Sequence, residues 1–347
     1  MIIKMGNKIK NSYEYVPESS SGKVINIILL IFVLLLLIIA TILTVSLLYL
    51  NIPGEPIELS ATISDIPQLK NSSFSNVAQF YPNMKFNHNN ITYKIDLNCL
   101  DDKKTRMINA FELLSSDVHW FSFSQEYGEI EADIDISCSQ DEKYNPDSSG
   151  VGHEFFIAGE GGAKEIIQTG RYNVINKGII LLYENLHNSV QCSWPNTEVH
   201  ELIHVFGYNH SLDENSLMYP YLEFCDQKLD DSIIEELNRI YSEENLPDLY
   251  FENISAVKKG RYLDFNLTIK NSGDVDANNV SYSLLDDSEI VETKELKDLK
   301  YGAGIIIGVS NLKLIKRDSK EIKIIIDYFN KTSEIDKENN VASFKFN

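Results

Sequence analysis

Three histidines and a glutamate lie close together in one short run of the chain. Residues 200–210 read HELIHVFGYNH and satisfy the pattern HExxHxxGxxH at every specified position. Histidines at positions i and i+4 of a helix lie one above the other, so His200 and His204 can converge on one ion. Gly207 allows the chain to turn out of the helix and bring His210 to the same ion. Three neutral imidazoles around zinc leave a fourth position for water, as in catalytic rather than structural zinc sites.

Glu201 directly follows the first of these histidines, and on a helix it therefore faces the edge of the metal site. A zinc ion lowers the pKa of bound water and polarises a carbonyl group, and a neighbouring carboxylate can take the proton and pass it to a leaving amine. The residues predict one catalytic zinc ion with Glu201 as the general base. They predict hydrolysis by direct attack of water, without an acyl-enzyme.

A purely structural zinc site is an alternative interpretation of these residues. It would need a fourth protein ligand, and no nearby cysteine or acidic residue obviously supplies one. The remaining histidines are scattered, and each is expected to be an ordinary polar residue; they are His88, His119, His153 and His187.

The segments around the motif predict a mixed α and β domain over residues 90–244. Apolar residues recur at helical spacing in three segments, which are 101–118, 196–206 and 230–241. Alternating or continuous apolar runs predict strands at 91–97, 120–126, 131–137 and 178–183. The glycine-rich segment 147–170 is expected to be a long loop around a short strand near residues 153–157.

A pattern of short strands begins after Pro247 and continues to the end of the chain. Asn, Gly and Asp turns separate the strands, of which residues 262–269, 280–285 and 321–328 are the clearest. An antiparallel, immunoglobulin-like sandwich of about seven strands over residues 248–347 fits this pattern best.

The N-terminal region contains one long apolar segment, residues 24–52, without a charged residue. It is long enough to span a bilayer and lacks a convincing cleavage site, so we expect an uncleaved transmembrane signal anchor. Lysines precede it and acidic residues follow it, which predicts that residues 1–23 are a cytoplasmic tail and that the rest lies outside the cell. The Pro-, Ser- and Asn-rich residues 53–89 are expected to form a stalk with little fixed structure.

Four cysteines lie on the predicted outer side of the membrane, where disulfides persist. The favoured pairs are Cys99 with Cys138, from neighbouring predicted strands, and Cys192 with Cys225, which bracket the histidines. Sequence alone leaves three connectivities open, and it also allows some of the cysteines to be buried thiols.

The charge balance excludes one class of partner. With 51 acidic and 31 basic residues, the chain has a formal net charge of -20 and would repel phosphate backbones. We therefore expect no nucleic-acid partner. The expected partners are a protein or peptide substrate and, through the N-terminal helix, the membrane.

The motif followed by Ser216-Leu217-Met218-Tyr219-Pro220 resembles the metzincin zinc peptidases, and among them the matrixins. The resemblance implies a twisted, mostly parallel sheet with helices above a substrate cleft and a turn at Met218 that forms a hydrophobic floor under the zinc. It also implies an edge strand near residues 153–158 that pairs with an extended peptide. Pro220 stands where astacin-like relatives have a metal-binding tyrosine, so Tyr219 receives no such role. Calcium is common in the family, but no motif here supports a calcium site, and no propeptide cysteine motif is present.

The C-terminal region resembles the CARDB-type adhesion-related domains, on the residues Pro247-Asp248-Leu249, Asn271-Ser272-Gly273 and Glu338-Asn339-Asn340. This resemblance implies a sandwich that binds a surface partner or acts as a spacer, without chemistry of its own.

Two functions follow from the sequence. The first is a single-pass cell-membrane zinc endopeptidase that cleaves extracellular proteins or peptides. The second is a catalytically silent adhesion or scaffold protein that uses both domains for binding. The intact Glu201 favours the enzyme, because a silent relative usually loses that carboxylate or a metal ligand.

Overall fold

A computed structural model describes residues 20–64, 67, 78–146, 154–184, 192–222 and 225–346. In chain order the first elements are α1 (Ser20–Asn51), β1 (Pro56–Leu59), β2 (Thr62–Ile63), β3 (Met84–Lys85), β4 (Asn90–Ile95), α2 (Asp101–Asp117), β5 (Ser122–Gln125), β6 (Ile134–Ser139), β7 (Tyr144–Pro146), β8 (Glu154–Phe156), β9 (Gly159–Gln168), β10 (Asn173–Tyr183), α3 (Asn196–Val205) and α4 (Asp231–Ser242). The later elements are β11 (Leu249–Lys259), β12 (Tyr262–Asn271), β13 (Ser281–Asp286), β14 (Glu289–Glu295), β15 (Gly304–Lys313), β16 (Glu321–Ile326), a short 3-10 helix (Glu338–Asn340) and β17 (Val341–Lys345).

The first domain is built on a mostly parallel sheet with strand order β3-β10-β6-β4-β5. Most apolar residues of β4, β6 and β10 are buried, as expected for the central strands of a sheet covered by helices. Strand β9 pairs with β10 in antiparallel register and forms an edge of the sheet. The predicted mixed fold with a mostly parallel sheet is confirmed.

The position predicted for the edge strand is wrong. The short strand predicted near residues 153–157 is present as β8, but within the described residues it pairs only with β7, apart from the main sheet, and His153 lies outside the described residues. The edge strand is β9, in the glycine-rich segment that was expected to be a loop. Glycine is uncommon inside strands unless another element approaches closely, and α3 makes such an approach here.

Two helices complete the core of this domain. Helix α2 buries Met107, Ala110, Phe111 and Leu114, which recur at the spacing of one helical face. The ring of Phe111 stacks on that of Tyr93 in β4, with 3.9 Å between the ring centroids. Helix α4 contributes a buried apolar face to the same core, and its Tyr241 ring lies edge-on to the rings of Phe121 and Phe206.

The second domain is a sandwich of two antiparallel sheets. One has strand order β1-β11-β12-β15, and the other has strand order β14-β13-β16-β17-β2. The seven strands predicted for the C-terminal region are present as β11 to β17. Their inward-facing side chains form a core separate from that of the first domain.

Two further strands of the sandwich come from the segment predicted to be a stalk. Strand β1 pairs with β11, and β2 pairs with β17. The prediction of little fixed structure over 53–89 is therefore wrong for these residues, because strands distant in sequence satisfy their backbone groups. The first domain is inserted between β2 and β11, so that the sandwich holds both of its ends.

Helix α1 contains an apolar stretch, Ile25–Asn51, with a mean hydropathy of 3.4, which is long and apolar enough to cross a membrane. Its end contacts the sandwich. The guanidinium of Arg317 lies 4.4 Å from the ring centroid of Tyr49 and donates to the carbonyl oxygens of Tyr49 and Ile52. Lys313 Nζ donates to Asn51 Oδ1 at 2.9 Å. These side chains bind polar groups at the C-terminal end of the helix, where carbonyl groups lack helical partners.

Candidate metal centre

Helix α3 positions the first two histidines and the glutamate. It follows Pro195, and its apolar residues Val199, Leu202 and Ile203 are fully buried in the core of the first domain. His200 and His204 point from a neighbouring face and are only 5% and 7% exposed. The packing of the apolar face therefore sets the direction of both imidazoles.

Gly207 ends the helical segment and redirects the chain, as the motif predicts. Its φ angle of +87° lies in the left-handed region that favours glycine. A Cβ at this position would also lie 2.2 Å from the Sδ atom of Met84 in β3. The turn brings His210 back to the helix, where its Nε2 atom lies 3.2 Å from Nε2 of His204.

Backbone carbonyl groups fix the orientation of two of the imidazoles. His200 Nδ1 lies 2.6 Å from the carbonyl oxygen of Leu217, and His204 Nδ1 lies 2.7 Å from that of Tyr208. A carbonyl oxygen can only accept a hydrogen bond, so each Nδ1 carries the proton and each Nε2 presents a lone pair.

These lone pairs converge on one point. Nε2 of His204 lies 3.1 Å from Nε2 of His200, besides its 3.2 Å approach to His210. Two acceptors at this distance repel each other unless a cation lies between them. Nitrogen ligands about 2.0–2.1 Å from a tetrahedral zinc ion are separated by roughly 3.3 Å, so the three side chains fit zinc.

Burial keeps these ligands neutral. Burial, together with the neighbouring imidazoles, lowers the pKa of His200 to about 3 and that of His204 to about 4. Burial also lowers the pKa of His210, which is the most exposed of the three. Neutral imidazoles are the form that binds a metal, so these ligands need no deprotonation near neutral pH.

The segment after the third histidine forms a turn beneath the cluster. Met218 is fully buried, and its carbonyl oxygen accepts a hydrogen bond of 2.7 Å from the backbone N–H of Ser211. The N–H of Met218 donates to Ser216 Oγ at 3.0 Å. The same turn supplies the Leu217 carbonyl group that orients His200. The predicted Met-containing turn therefore lies beside the metal ligands.

Strand β9 covers Glu201 and places its carboxylate. The backbone N–H of Gly161 donates a hydrogen bond to this carboxylate, and a Cβ at Gly159 would lie 2.6 Å from Glu201 Cγ. Burial raises the pKa of Glu201 to about 8, and the Gly161 hydrogen bond opposes that rise. A cation held by the neighbouring imidazoles would also favour the carboxylate form.

Gly161 and Gly162 provide a matched test of this close packing. A Cβ at Gly161 would lie 2.2 Å from the carbonyl oxygen of Glu201, whereas a Cβ at Gly162 would meet no atom of the described residues within 4 Å. We expect Gly161→Ala to lower the free energy of unfolding by about 1–3 kcal/mol, because β9 must move away from α3. Gly162→Ala should leave it unchanged. Denaturant unfolding of both variants measures the difference, and equal midpoints would contradict the packing.

A segment before β3 holds the turn that carries His210. The carbonyl oxygen of Ala78 accepts from the N–H of Asn209 at 3.0 Å, and the N–H of Phe80 donates to the carbonyl oxygen of Gly207 at 2.7 Å. Gln79 Nε2 donates to the carbonyl oxygen of Phe206 at 3.0 Å. This contact could not be predicted from the sequence, because the segment lies in the predicted stalk and has no strand pattern.

A buried ion pair fixes the start of α3. Arg106 of α2 donates from Nε and Nη2 to the two carboxylate oxygens of Glu198, both at 3.0 Å. It also donates to the carbonyl oxygens of Cys192 and Trp194 at 2.8 and 3.1 Å. Such two-point contacts orient side chains more strictly than single hydrogen bonds do.

Both favoured disulfides are present. Cys99, in the turn between β4 and α2 rather than in a strand, is bonded to Cys138 of β6. Cys192 is bonded to Cys225 and joins the segment before α3 to the segment after the Met218 turn. The second bridge therefore encloses the histidine cluster in a covalent loop.

Comparison with known families agrees with this geometry. Residues 85–242 match the family model described as Matrixin. These residues form a matrixin domain. The match supports a zinc metallopeptidase, and the matrixin family implies zinc and a peptide substrate. Residues 246–344, directly after the matrixin domain, match the family model described as CARDB.

Other comparisons concern the CARDB domain. One solved structure is the CARDB domain of the PF1109 protein from Pyrococcus furiosus in complex with di-metal ions, 16% identical, covering 28% of this chain and 85% of that chain, with a TM-score of 0.24. Another is a domain of a candidate cell surface protein from Methanosarcina acetivorans, 19% identical, covering 29% of this chain and 93% of that chain, with a TM-score of 0.24. A comparison with curated proteins finds no match.

The structure brings together all the predicted metal-site residues of the matrixin domain. Among the residues that the structure describes, His200, His204 and His210 are the one group of three or more His, Cys, Asp or Glu side chains spaced to share an ion. Gly159 and Gly161, which cover Glu201, were not among the predicted site residues. Their sequence signal was the glycine-rich run itself.

Proposed function

We propose that this chain is a membrane-anchored zinc endopeptidase that hydrolyses proteins or peptides outside the cytoplasm. One observation carries the proposal: the Nε2 atoms of three histidines converge on a single point beside the buried Glu201 carboxylate of helix α3. In this proposal His200, His204 and His210 hold one zinc ion. Glu201 is the catalytic residue that handles the proton.

The chemistry needs one acid and one base. Zinc supplies a Lewis acid that polarises the scissile carbonyl group and lowers the pKa of a water molecule. Glu201 takes a proton from the attacking water as its oxygen bonds to the carbonyl carbon. The carbon–nitrogen bond then breaks, and Glu201 gives the proton to the amine that leaves. The Gly161 N–H holds the carboxylate in place for both transfers.

Strand β9 is the proposed docking edge for the substrate. Within the described residues it pairs only with β10, so one row of its backbone groups has no partner strand. It begins at Gly159, beside Glu201, and an extended peptide that adds to this edge would lie next to the metal site.

The membrane anchor rests on α1. The length and apolar composition of Ile25–Asn51 support a membrane span, and the lysines before it support a cytoplasmic N-terminus. The contacts of Arg317 and Lys313 with the end of α1 would hold the sandwich against the outer membrane surface. In this arrangement both disulfides lie in an oxidising compartment.

Metal removal tests the proposed function. We expect the full chain, purified in detergent micelles, to contain about one zinc ion and to cleave unstructured protein substrates. A chelator should abolish cleavage because the ion is required, and added zinc should restore it. Metal analysis and peptide mapping of a cleaved substrate measure both results. A chain that binds zinc but cleaves no member of a broad peptide library would instead support the silent scaffold.

A further inference from the structure

The sandwich contacts the hairpin of β9 and β10, and β9 is the proposed docking edge for the substrate. Strands β9 and β10 are joined by a turn at residues 169–172, and this turn lies against the sandwich. The turn is at the opposite end of β9 from Glu201. Two groups of buried contacts connect the turn to the sandwich, and Arg171 Nη2 also lies 3.6 Å from Asp336 Oδ2.

The first group of contacts involves the carbonyl oxygen of Ser272. It accepts a hydrogen bond of 2.7 Å from Thr169 Oγ1 and another of 3.4 Å from the backbone N–H of Arg171. Thr169 is 6% exposed and Ser272 is fully buried. Water therefore has little access to these hydrogen bonds, and their loss would leave buried polar groups without partners.

The second group of contacts involves the carboxylate of Asp248. Arg171 Nε lies 2.5 Å from Asp248 Oδ2, and the Asp248 side chain is fully buried. Ser272 Oγ and Asn339 Nδ2 also donate to this carboxylate. A buried carboxylate needs such partners, so the position of Arg171 is strongly constrained. We refer to Thr169, Arg171, Asp248 and Ser272 together as the hairpin latch.

Strand β9 is held by one neighbouring strand and by contacts at its two ends. Strand β9 has ten residues and one row of ladder hydrogen bonds, to β10. Its register with β10 is irregular between Ile175 and Gly178. The close contact with α3 fixes the end at Gly159, and the hairpin latch fixes the end at Gln168.

We propose that the hairpin latch positions β9 for pairing with substrate, so that the sandwich is part of the peptide-binding apparatus. Thr169 and Arg171 act as positioning residues through the strand, and they do not touch the reacting atoms. This inference rests on the proposed function, because it assigns the sandwich a role in the affinity of the same site for extended peptides.

Kinetics of latch variants in the full chain test the inference. The substrates are one fluorogenic peptide long enough to pair with all of β9 and one reporter too short to pair with it. We expect Arg171→Leu to raise KM for the long peptide about tenfold, within the usual range of coupling between sites. Its kcat for the long peptide, its kinetics on the short reporter and its zinc content should be unchanged. Arg171→Lys, which keeps a cation beside Asp248, should restore part of the affinity.

A milder variant and a matched control keep the test informative if Arg171→Leu fails to fold. Thr169→Val preserves the side-chain shape and removes the hydroxyl, which donates to the Ser272 carbonyl oxygen and accepts from the N–H of Tyr172 within the turn. Because the ion pair of Arg171 with Asp248 remains, a smaller rise in KM is expected. Lys259→Leu removes a different ion pair of the sandwich, that with Asp264 at 2.7 Å, and should not change KM. Hydrogen exchange of peptides covering residues 159–168 should increase in the latch variants and remain unchanged in Lys259→Leu.

The possible results separate the two proposals. Unchanged KM for the long peptide and unchanged exchange of β9 in the latch variants would overturn the positioning role. An equal loss of activity on both substrates would also overturn it, because the contacts would then serve folding alone. A native chain that cleaves neither substrate would contradict the proposed peptidase, while the exchange measurement would still report whether the latch holds β9.

Discussion

Replacement of Glu201 by glutamine is expected to lower kcat by about 100- to 10,000-fold while the chain keeps its zinc. Glutamine has nearly the same shape and can still accept the hydrogen bond from the Gly161 N–H. It cannot take a proton from water or deliver one to the leaving amine. The three imidazoles remain in place, because backbone carbonyl groups orient His200 and His204 independently of Glu201.

Metal analysis and peptide hydrolysis by the full chain check this expectation. Glu235→Gln is a matched control, because Glu235 is an exposed carboxylate on α4 and plays no part in the metal centre. The control should retain both zinc and activity. A Glu201→Gln variant with native kcat would show that another group handles the proton, and a variant without zinc would show that Glu201 is needed to hold the metal.

The second large effect concerns the ion pair between the two domains. Lys85 Nζ of β3 lies 2.9 Å from a carboxylate oxygen of Asp274 in the sandwich, and both side chains are fully buried. Lys85 Nζ also donates to Asn245 Oδ1 at 2.7 Å. We expect Lys85→Met to lower the free energy of unfolding by about 3–5 kcal/mol, because a buried carboxylate loses its counter-charge. The double variant Lys85→Met/Asp274→Asn should be more stable than Lys85→Met alone.

The decrease in the free energy of unfolding caused by Lys85→Met should itself depend on pH. Burial raises the pKa of Asp274, and the Lys85 ammonium opposes that rise. Without the ammonium the pKa of Asp274 rises further above its unfolded value, so the folded chain binds the proton more tightly than the unfolded chain. The destabilisation by Lys85→Met should therefore decrease as the pH falls and the carboxyl group becomes protonated.

Denaturant unfolding followed by the fluorescence of Trp120 and Trp194 measures these differences. Lys323→Met is the control, because its ion pair with Glu321 is partly exposed and should contribute about 0–1 kcal/mol. Two results would contradict a stabilising ion pair between the domains. One is a Lys85→Met variant with the same denaturant midpoint as the native chain, and the other is simply additive effects of Lys85→Met and Asp274→Asn on the free energy of unfolding.

The metal centre could be predicted from the sequence because its geometry is local. A helical period brings His200 and His204 together, and one glycine allows His210 to return. The same reasoning predicted the helices, which end within one or two residues of their expected limits. The disulfide pairs were also predicted, because the order of the elements places their cysteines near each other.

The edge strand could not be predicted because its cause lies in another element. The run from Gly159 to Gly162 has no strand pattern, and glycines are typical of loops. The structure provides the reason for Gly159 and Gly161: helix α3 approaches so closely that a side chain would overlap Glu201. Single-sequence patterns contain no information about such an approach.

The contribution of the predicted stalk to the sandwich could not be predicted for a similar reason. Strands β1 and β2 are short and rich in exposed residues, and they are ordered by pairing with β11 and β17, far along the chain. The contacts of Lys85 and Arg171 with the sandwich are equally distant in sequence. These contacts change the interpretation of the C-terminal domain, from a spacer to a part of the proposed enzyme.

X-ray absorption at the zinc edge of the full chain tests the central claim most directly. We predict three imidazole nitrogens and one oxygen around a single zinc ion, all at about 2.0–2.1 Å. An inhibitor with a zinc-binding group should replace the oxygen and leave the three nitrogens. A spectrum with sulfur ligands, or with four protein ligands that an inhibitor leaves unchanged, would contradict a catalytic zinc at His200, His204 and His210.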